Sequence, residues 1–238
     1  MPESPRRPVL AVAAVLTALV ILIIAAVGIP VRADSGAAGM AVDDTDVDAV
    51  LTRLNTAYAV MQSFEAQFTQ TSSGISFPAP LVQEGTLQVQ KPNKLRWEFK
   101  KPNPRLFLSD GTQLWIVDEA ERTCTHYSAM MESLDRFLAV FNGADRLVQH
   151  YKISLAVGSE STAGADTLKL VPKVPDGSVD VIYLRVDSTS SMVTAVVTMS
   201  AFGDRTETVL KGIAMGKDQP VENFRWSMRP DFQFIEAG

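Results

Sequence analysis

One cysteine and two histidines in 238 residues leave little from which to build a catalytic or metal centre. Cys124, being alone, cannot staple the fold internally, so stability has to come from burial. Cys124 and His126 stand two apart on a predicted strand and so share a side. Thiol–imidazole dyads are normally assembled from distant segments, however, and no third, orienting group is in view. Asp118, Glu119, Cys124 and His126 do not follow the spacing of a zinc site, and His150 is the only other imidazole. Phosphate loops and nucleotide fingerprints are absent, so no cofactor and no metal are expected, and the chain does not read as an enzyme. Basic clusters are missing as well. Net charge is −5; Glu3 against Arg6, Arg7 and Arg32 leaves residues 1–33 at +2 and the rest at −7. An acidic body whose aromatics alternate along strands, rather than sitting between Lys and Arg, argues against nucleic acid as a partner. There is no internal repeat and no low-complexity stretch.

What is present begins with an export segment. Arg6 and Arg7 precede 21 uncharged residues, Val9 to Ile29, and Val31-Arg32-Ala33 then offers a cleavage site before Asp34. Residues 1–33 are therefore read as a signal peptide. The run is longer than the usual signal core of about 7–15 residues and nears the ~20 that span a bilayer, so a retained anchor is the alternative. Either way the body is exported. Residues 34–42, rich in Gly and Ala, read as a flexible linker, and 43–238 as a single domain.

That domain opens with a helix. Asp43, Asp44, Asp46 and Asp48 suit its positive end, and Val47, Val50, Leu51, Leu54, Tyr58 and Met61 recur at three and four residues. Near Ser63 the period drops to two, with Phe64, Ala66 and Phe68 on one side. A second helix carries Met130, Leu134, Phe137, Leu138 and Phe141, stops at Asn142-Gly143, and leads to a shorter turn of helix reaching His150. The rest alternates as strands, ending with Phe224, Trp226 and Met228, then Phe232 and Phe234. The pattern predicts about eleven strands, mostly hairpin-connected, with two helical insertions. So many strands curl, and two helices are too few to cover both faces of an open sheet. The expected fold is mainly β: a curved antiparallel open barrel with a helical lid over an apolar cavity. A β-sandwich with peripheral helices is the competitor.

The densest pattern is Gly85–Asp118, GTLQVQKPNKLRWEFKKPNPRLFLSDGTQLWIVD. Lys91-Pro92, Lys101-Pro102 with Pro104, and Ser109-Asp110-Gly111 punctuate four short strands. Leu87 and Val89 oppose Thr86, Gln88 and Gln90; Leu95, Trp97 and Phe99 oppose Lys94, Arg96 and Glu98. Leu106 and Leu108 are expected on the same side as Leu95, Trp97 and Phe99. The helical Tyr58, Met61, Met130, Met131, Leu134 and Phe137 would face them. The residues alone leave open whether this is an ordinary core or a ligand cavity. Methionines favour the cavity slightly, because their soft chains repack around varied guests.

The order G-x-L-x-V-x-K-P-N-K-L-R-W, then Pro, then L-x-S-D-G-x-x-L-W-x-x-D, resembles the LolA family of periplasmic lipoprotein carriers. Ser63 to Gln70, Leu170-Val171-Pro172-Lys173 and Phe224 to Pro230 extend the resemblance over roughly Asp46 to Glu236. It implies an open β-barrel with a helical lid over an apolar cavity. It also implies a monomeric carrier that takes acylated lipoproteins from an inner-membrane ABC transporter across the periplasm to an outer-membrane acceptor. Some carriers place an Arg immediately before the Pro of this motif, where it bonds helix carbonyls and closes the lid. Here that position is Lys91, which donates without the planar fork and should grip less directionally. A membrane-anchored lipid-binding or sensing domain is the second reading, and an extracytoplasmic hydrolase using Cys124 or His126 the third. An acceptor of the same fold would itself carry a lipidated N-terminal cysteine, and none is present there.

Overall fold

A computed structural model describes residues 44–237, apart from 128–130, 176, 178 and 217–218. The signal or anchor segment, the linker and Met130 lie outside the described residues.

Helix α1 (Asp44–Ala59) buries Val47, Val50, Leu54 and Tyr58, the 3–4 stripe read from the sequence. The chain changes period at Ser63, where β1 (Ser63–Ser73) begins. Strands β2 (Leu81–Gln90), β3 (Lys94–Lys101), β4 (Arg105–Asp110), β5 (Leu114–Asp118) and β6 (Thr123–Tyr127) follow as a meander. Helices α2 (Met131–Asn142) and α3 (Ala144–His150) come next. Then come β7 (Tyr151–Leu155), β8 (Ala165–Pro172), β9 (Val181–Asp187), β10 (Val193–Met199), β11 (Arg205–Gly216) and β12 (Gln233–Ala237). The β4–β5 hairpin shows why its turn residues are there. The Asp110 Oδ1 accepts from the backbone N–H groups of Thr112 (2.9 Å) and Gln113 (3.1 Å), and Gly111 takes φ 101°.

Among the described residues all twelve strands form one sheet, in the order β12-β6-β5-β4-β3-β2-β1-β11-β10-β9-β8-β7. Its edge strands, β12 and β7, do not pair with each other, so the sheet is open. Three features differ from the sequence expectation. Among the described residues there are twelve strands rather than about eleven, β12 runs parallel to β6 while every other pair is antiparallel, and Phe224 to Met228 forms no strand; the shorter turn of helix expected up to His150 is α3. Phe224 to Met228, read as a strand, instead begins in a 3-10 turn at Val221–Phe224 and joins no ladder.

Register turns the alternation into rungs across the inner face, the face covered by the helices. One rung runs Phe64, Val89, Leu95, Ser109, Leu114; the next runs Ala66, Leu87, Trp97, Phe107, Ile116. A third runs Phe68, Gly85, Phe99, Arg105, Asp118, ending on a 2.6 Å Arg105–Asp118 ion pair. Beyond it the inner face turns polar: Thr208 donates to Gln70 (3.1 Å), Gln70 to Gln83 (3.4 Å), and Ser72 and Thr206 share a 3.0 Å bond. The principal core lies between these rungs and the three helices. A separate, smaller core lies on the outer face, where Leu106, Leu108, Val117 and Cys124 are covered by Trp226 and Phe232.

Candidate functional site

The inner face is aromatic where it meets α2. Trp97 lies nearly parallel to Phe137 of α2 (5.1 Å, 11°) and stacks on Phe99 (5.4 Å), with the Phe68 ring edge-on (5.7 Å) and Phe107 tilted beyond (6.4 Å). Phe141 continues the helix side, 5.2 Å from Phe64 and 5.8 Å from Phe137. Leu87, Val89 and Leu95 fill the rungs beside the rings, with Tyr58 and Met61 from the α1 end and Leu134 from α2. Gly85 makes the arrangement possible. A Cβ there would stand 2.7 Å from the Phe68 ring and 1.9 Å from the Glu98 carbonyl oxygen, so the rung has room for Phe68 and Phe99 only because Gly85 has no side chain.

Leu106 and Leu108 are not part of this face. Trp97 is opposite Phe107 in the β3–β4 register, which turns Leu106 and Leu108 to the outer core with Val117 and Cys124. The sequence expectation is corrected here for a plain reason. Leu106-Phe107-Leu108 is apolar throughout, so alternation cannot choose its face; only register does. Phe68 and Phe107, left out of the expected lining, follow from that register.

Helices α1 and α2 are fastened at the β2–β3 turn. Lys91 Nζ donates to the Tyr58 carbonyl oxygen in the last turn of α1, and the Lys91 backbone N–H to Gln62 O at 2.9 Å. Asn142, the last residue of α2, donates from its side chain to Pro92 O at 3.0 Å. A cation at a helix C-terminus meets free carbonyls and the negative end of the helix dipole, so Lys91 is suited to the position. Burial lowers the pKa of its ammonium from the ordinary lysine value. Lys173, just past β8, repeats the device on α3, with Nζ 2.5 Å from Val148 O and its backbone N–H 2.9 Å from His150 O. Lys91→Met should lower stability by about 1 kcal/mol, the scale of a charge–dipole contact. It should also speed amide exchange in the last turn of α1, while Lys91→Arg restores both. Unchanged exchange at Tyr58 to Met61 would show that Lys91 does not hold α1.

The family model for the outer membrane lipoprotein carrier protein LolA matches residues 59–227. The chain belongs to the LolA family. It is 25% identical over 166 residues to the outer-membrane lipoprotein carrier protein of Dechloromonas aromatica, covering 70% of this chain and 77% of that one. It is 24% identical over 182 residues to the protein of the same description from Sodalis glossinidius, covering 76% and 82%. Among solved structures, a LolA superfamily protein from Nitrosomonas europaea aligns with a TM-score of 0.43 at 11% identity, over 75% of this chain and 97% of that one.

The one thiol of the chain sits in an environment that quiets it. Cys124 is fully buried in the outer core, where burial pushes its pKa up to about 11 against the opposing pull of Arg229. The ring nitrogens of His126 are engaged elsewhere, Nδ1 with Glu236 (2.9 Å) and Nε2 with Gln113 (3.2 Å). In the native protein Cys124 should therefore resist alkylation at pH 8 and react promptly once the protein is unfolded. Rapid labelling of folded protein would contradict this placement.

Proposed function

We propose that the protein is a periplasmic carrier of lipid-modified cargo, receiving acylated lipoproteins released from the inner membrane and passing them towards an outer-membrane acceptor. The observation that carries the reading is the aromatic inner face under helices whose ends are tied at Lys91 and Pro92. Burying an acyl chain is worth about 0.8 kcal/mol per CH₂, so a long chain does not cross water unaided. A soft, lidded surface shields the chain without holding it irreversibly. The expected lining is Leu87, Val89, Leu95, Trp97, Phe99, Tyr58, Met61, Leu134 and Phe137, now joined by Phe68 and Phe107, with Lys91 as the closing contact.

Membership of the LolA family and the 22–25% identity to outer-membrane lipoprotein carriers support this reading. Among the described residues no helix is long and apolar enough to cross a membrane, and the 21-residue uncharged run lies outside them. The test uses protein recovered from cells, offered a synthetic lipopeptide and its unacylated twin. Co-elution of the lipopeptide alone on gel filtration is expected; equal treatment of the two would reject the carrier. Sequencing the N-terminus of the same material should find Asp34. Recovery of full-length chain only in inner-membrane fractions would favour the anchored lipid-binding domain instead.

A further inference from the structure

Trp97 is the hub of the aromatic face and only 5% exposed, yet among the described residues its Nε1–H is buried without a hydrogen-bond partner. Most buried donors in native proteins are satisfied, because an orphan forfeits its bond to water and regains nothing. The Trp226 Nε1–H of the outer core shares this condition, but three polar side chains along the inner face are paired. Gln70 is bonded to Gln83 and Thr208, Ser72 to Thr206, and the Tyr58 hydroxyl oxygen accepts from the Val193 N–H at 3.2 Å.

We propose that the Trp97 indole N–H seats the carbonyl oxygen of an acyl group, where α2 meets the sheet. This rests on the carrier reading and names the chemistry of the cargo that the site recognises. An indole donates and never accepts, so its partner is an acceptor. The partner is also neutral. Phe68, Phe99, Phe107 and Phe137 surround the indole, and the neighbouring cations are committed: Arg105 to Asp118 at 2.6 Å and Lys91 to the end of α1. A carboxylate or phosphate drawn into that box would be desolvated without a counter-charge. Of the uncharged acceptors joined to a long alkyl chain, the carbonyl of an ester or an amide accepts more strongly than an ether oxygen. Both occur in acylated molecules, and both leave the alkyl chain to the apolar rungs. Trp97 thus gives the face a register: it sets where the chain begins as well as burying it.

The test compares three synthetic lipopeptides with the same peptide and chain lengths, carrying the chains through ester, amide or ether links. Wild-type protein should bind at least one carbonyl-bearing probe about tenfold more tightly than the ether. Which of ester and amide is preferred then identifies the source of the carbonyl. In Trp97→Phe all three should bind at the ether level. The wild-type comparison needs no variant, so the proposal stays testable even if Trp97→Phe does not fold. A second readout is the ¹⁵N-indole resonance of Trp97, which should move downfield with a carbonyl probe and not with the ether. Equal binding of all three probes by wild type, with an unmoved indole signal, overturns the assignment and leaves the carrier reading intact. Failure of wild type to bind any probe overturns both.

Discussion

Gly85→Val is expected to be the most damaging single substitution on the inner face. The position lies at a register irregularity between β2 and β3, where the Glu84–Lys101 pair gives way to Gly85–Phe99. Backbone from β3 comes so close that a Cβ would be 1.9 Å from Glu98 O, and the Phe68 ring covers the same spot at 2.7 Å. Valine therefore has to displace a strand and a ring that is itself held against Phe99 (4.9 Å). Relief by a rotamer change is unavailable because the nearest atom is backbone. We expect a loss of at least about 3 kcal/mol in chemical denaturation, at the upper end of overpacking penalties. Adding Phe68→Ala should restore only part of it, since the clash with Glu98 O remains. A Gly85→Val protein with wild-type stability would show that β2 and β3 are not as close as described.

Leu95→Glu separates a lidded face from an ordinary core. Leu95 is 1% exposed on the rung between Val89 and Ser109. In a permanently packed interior an unpaired carboxylate there costs several kcal/mol, and the domain should unfold. If α1 and α2 lift as a lid, the carboxylate reaches water through the open state. The protein then keeps its fold with reduced stability and loses acylated peptide by at least about a hundredfold, or roughly 3 kcal/mol of binding. We expect the second result. Circular dichroism and thermal unfolding establish the fold, and titration with the lipopeptide measures the loss. Wholesale unfolding of Leu95→Glu would assign Leu95 to an ordinary core.

Much of the architecture was legible because local pattern and burial agree. The helix stripe from Val47 to Tyr58, the change of period at Ser63 and the turns at Pro92 and Gly111 each follow from a few adjacent residues. Leu87, Val89, Leu95, Trp97 and Phe99 alternate with polar neighbours, and each lies on the helix-covered face. The apolar triplet Leu106-Phe107-Leu108 was illegible because the sheet has a core on both sides there. The outer core exists only because residues 219–232 return across β4 to β6, which no local pattern announces. Arg229 anchors that return, packing on Trp226 (4.9 Å) and Phe232 (3.8 Å) and pairing with Glu119 at 2.6 Å. The parallel pairing of β12 with β6 follows from the same crossing. The contact between Lys91 and Tyr58 spans 33 residues, and only the motif around Pro92 pointed towards it.

In the proposed carrier the acyl chain of the cargo lies on the inner face under α2. Photo-crosslinking tests it most directly, using a lipopeptide with a diazirine midway along its acyl chain and mass spectrometry to locate the adducts. Adducts are expected on Leu87, Leu95, Trp97 and Phe137, competed away by unlabelled lipopeptide but not by the unacylated peptide. Adducts confined to Leu106, Leu108 or Trp226 on the outer face, or labelling that the unacylated peptide competes equally well, would contradict it.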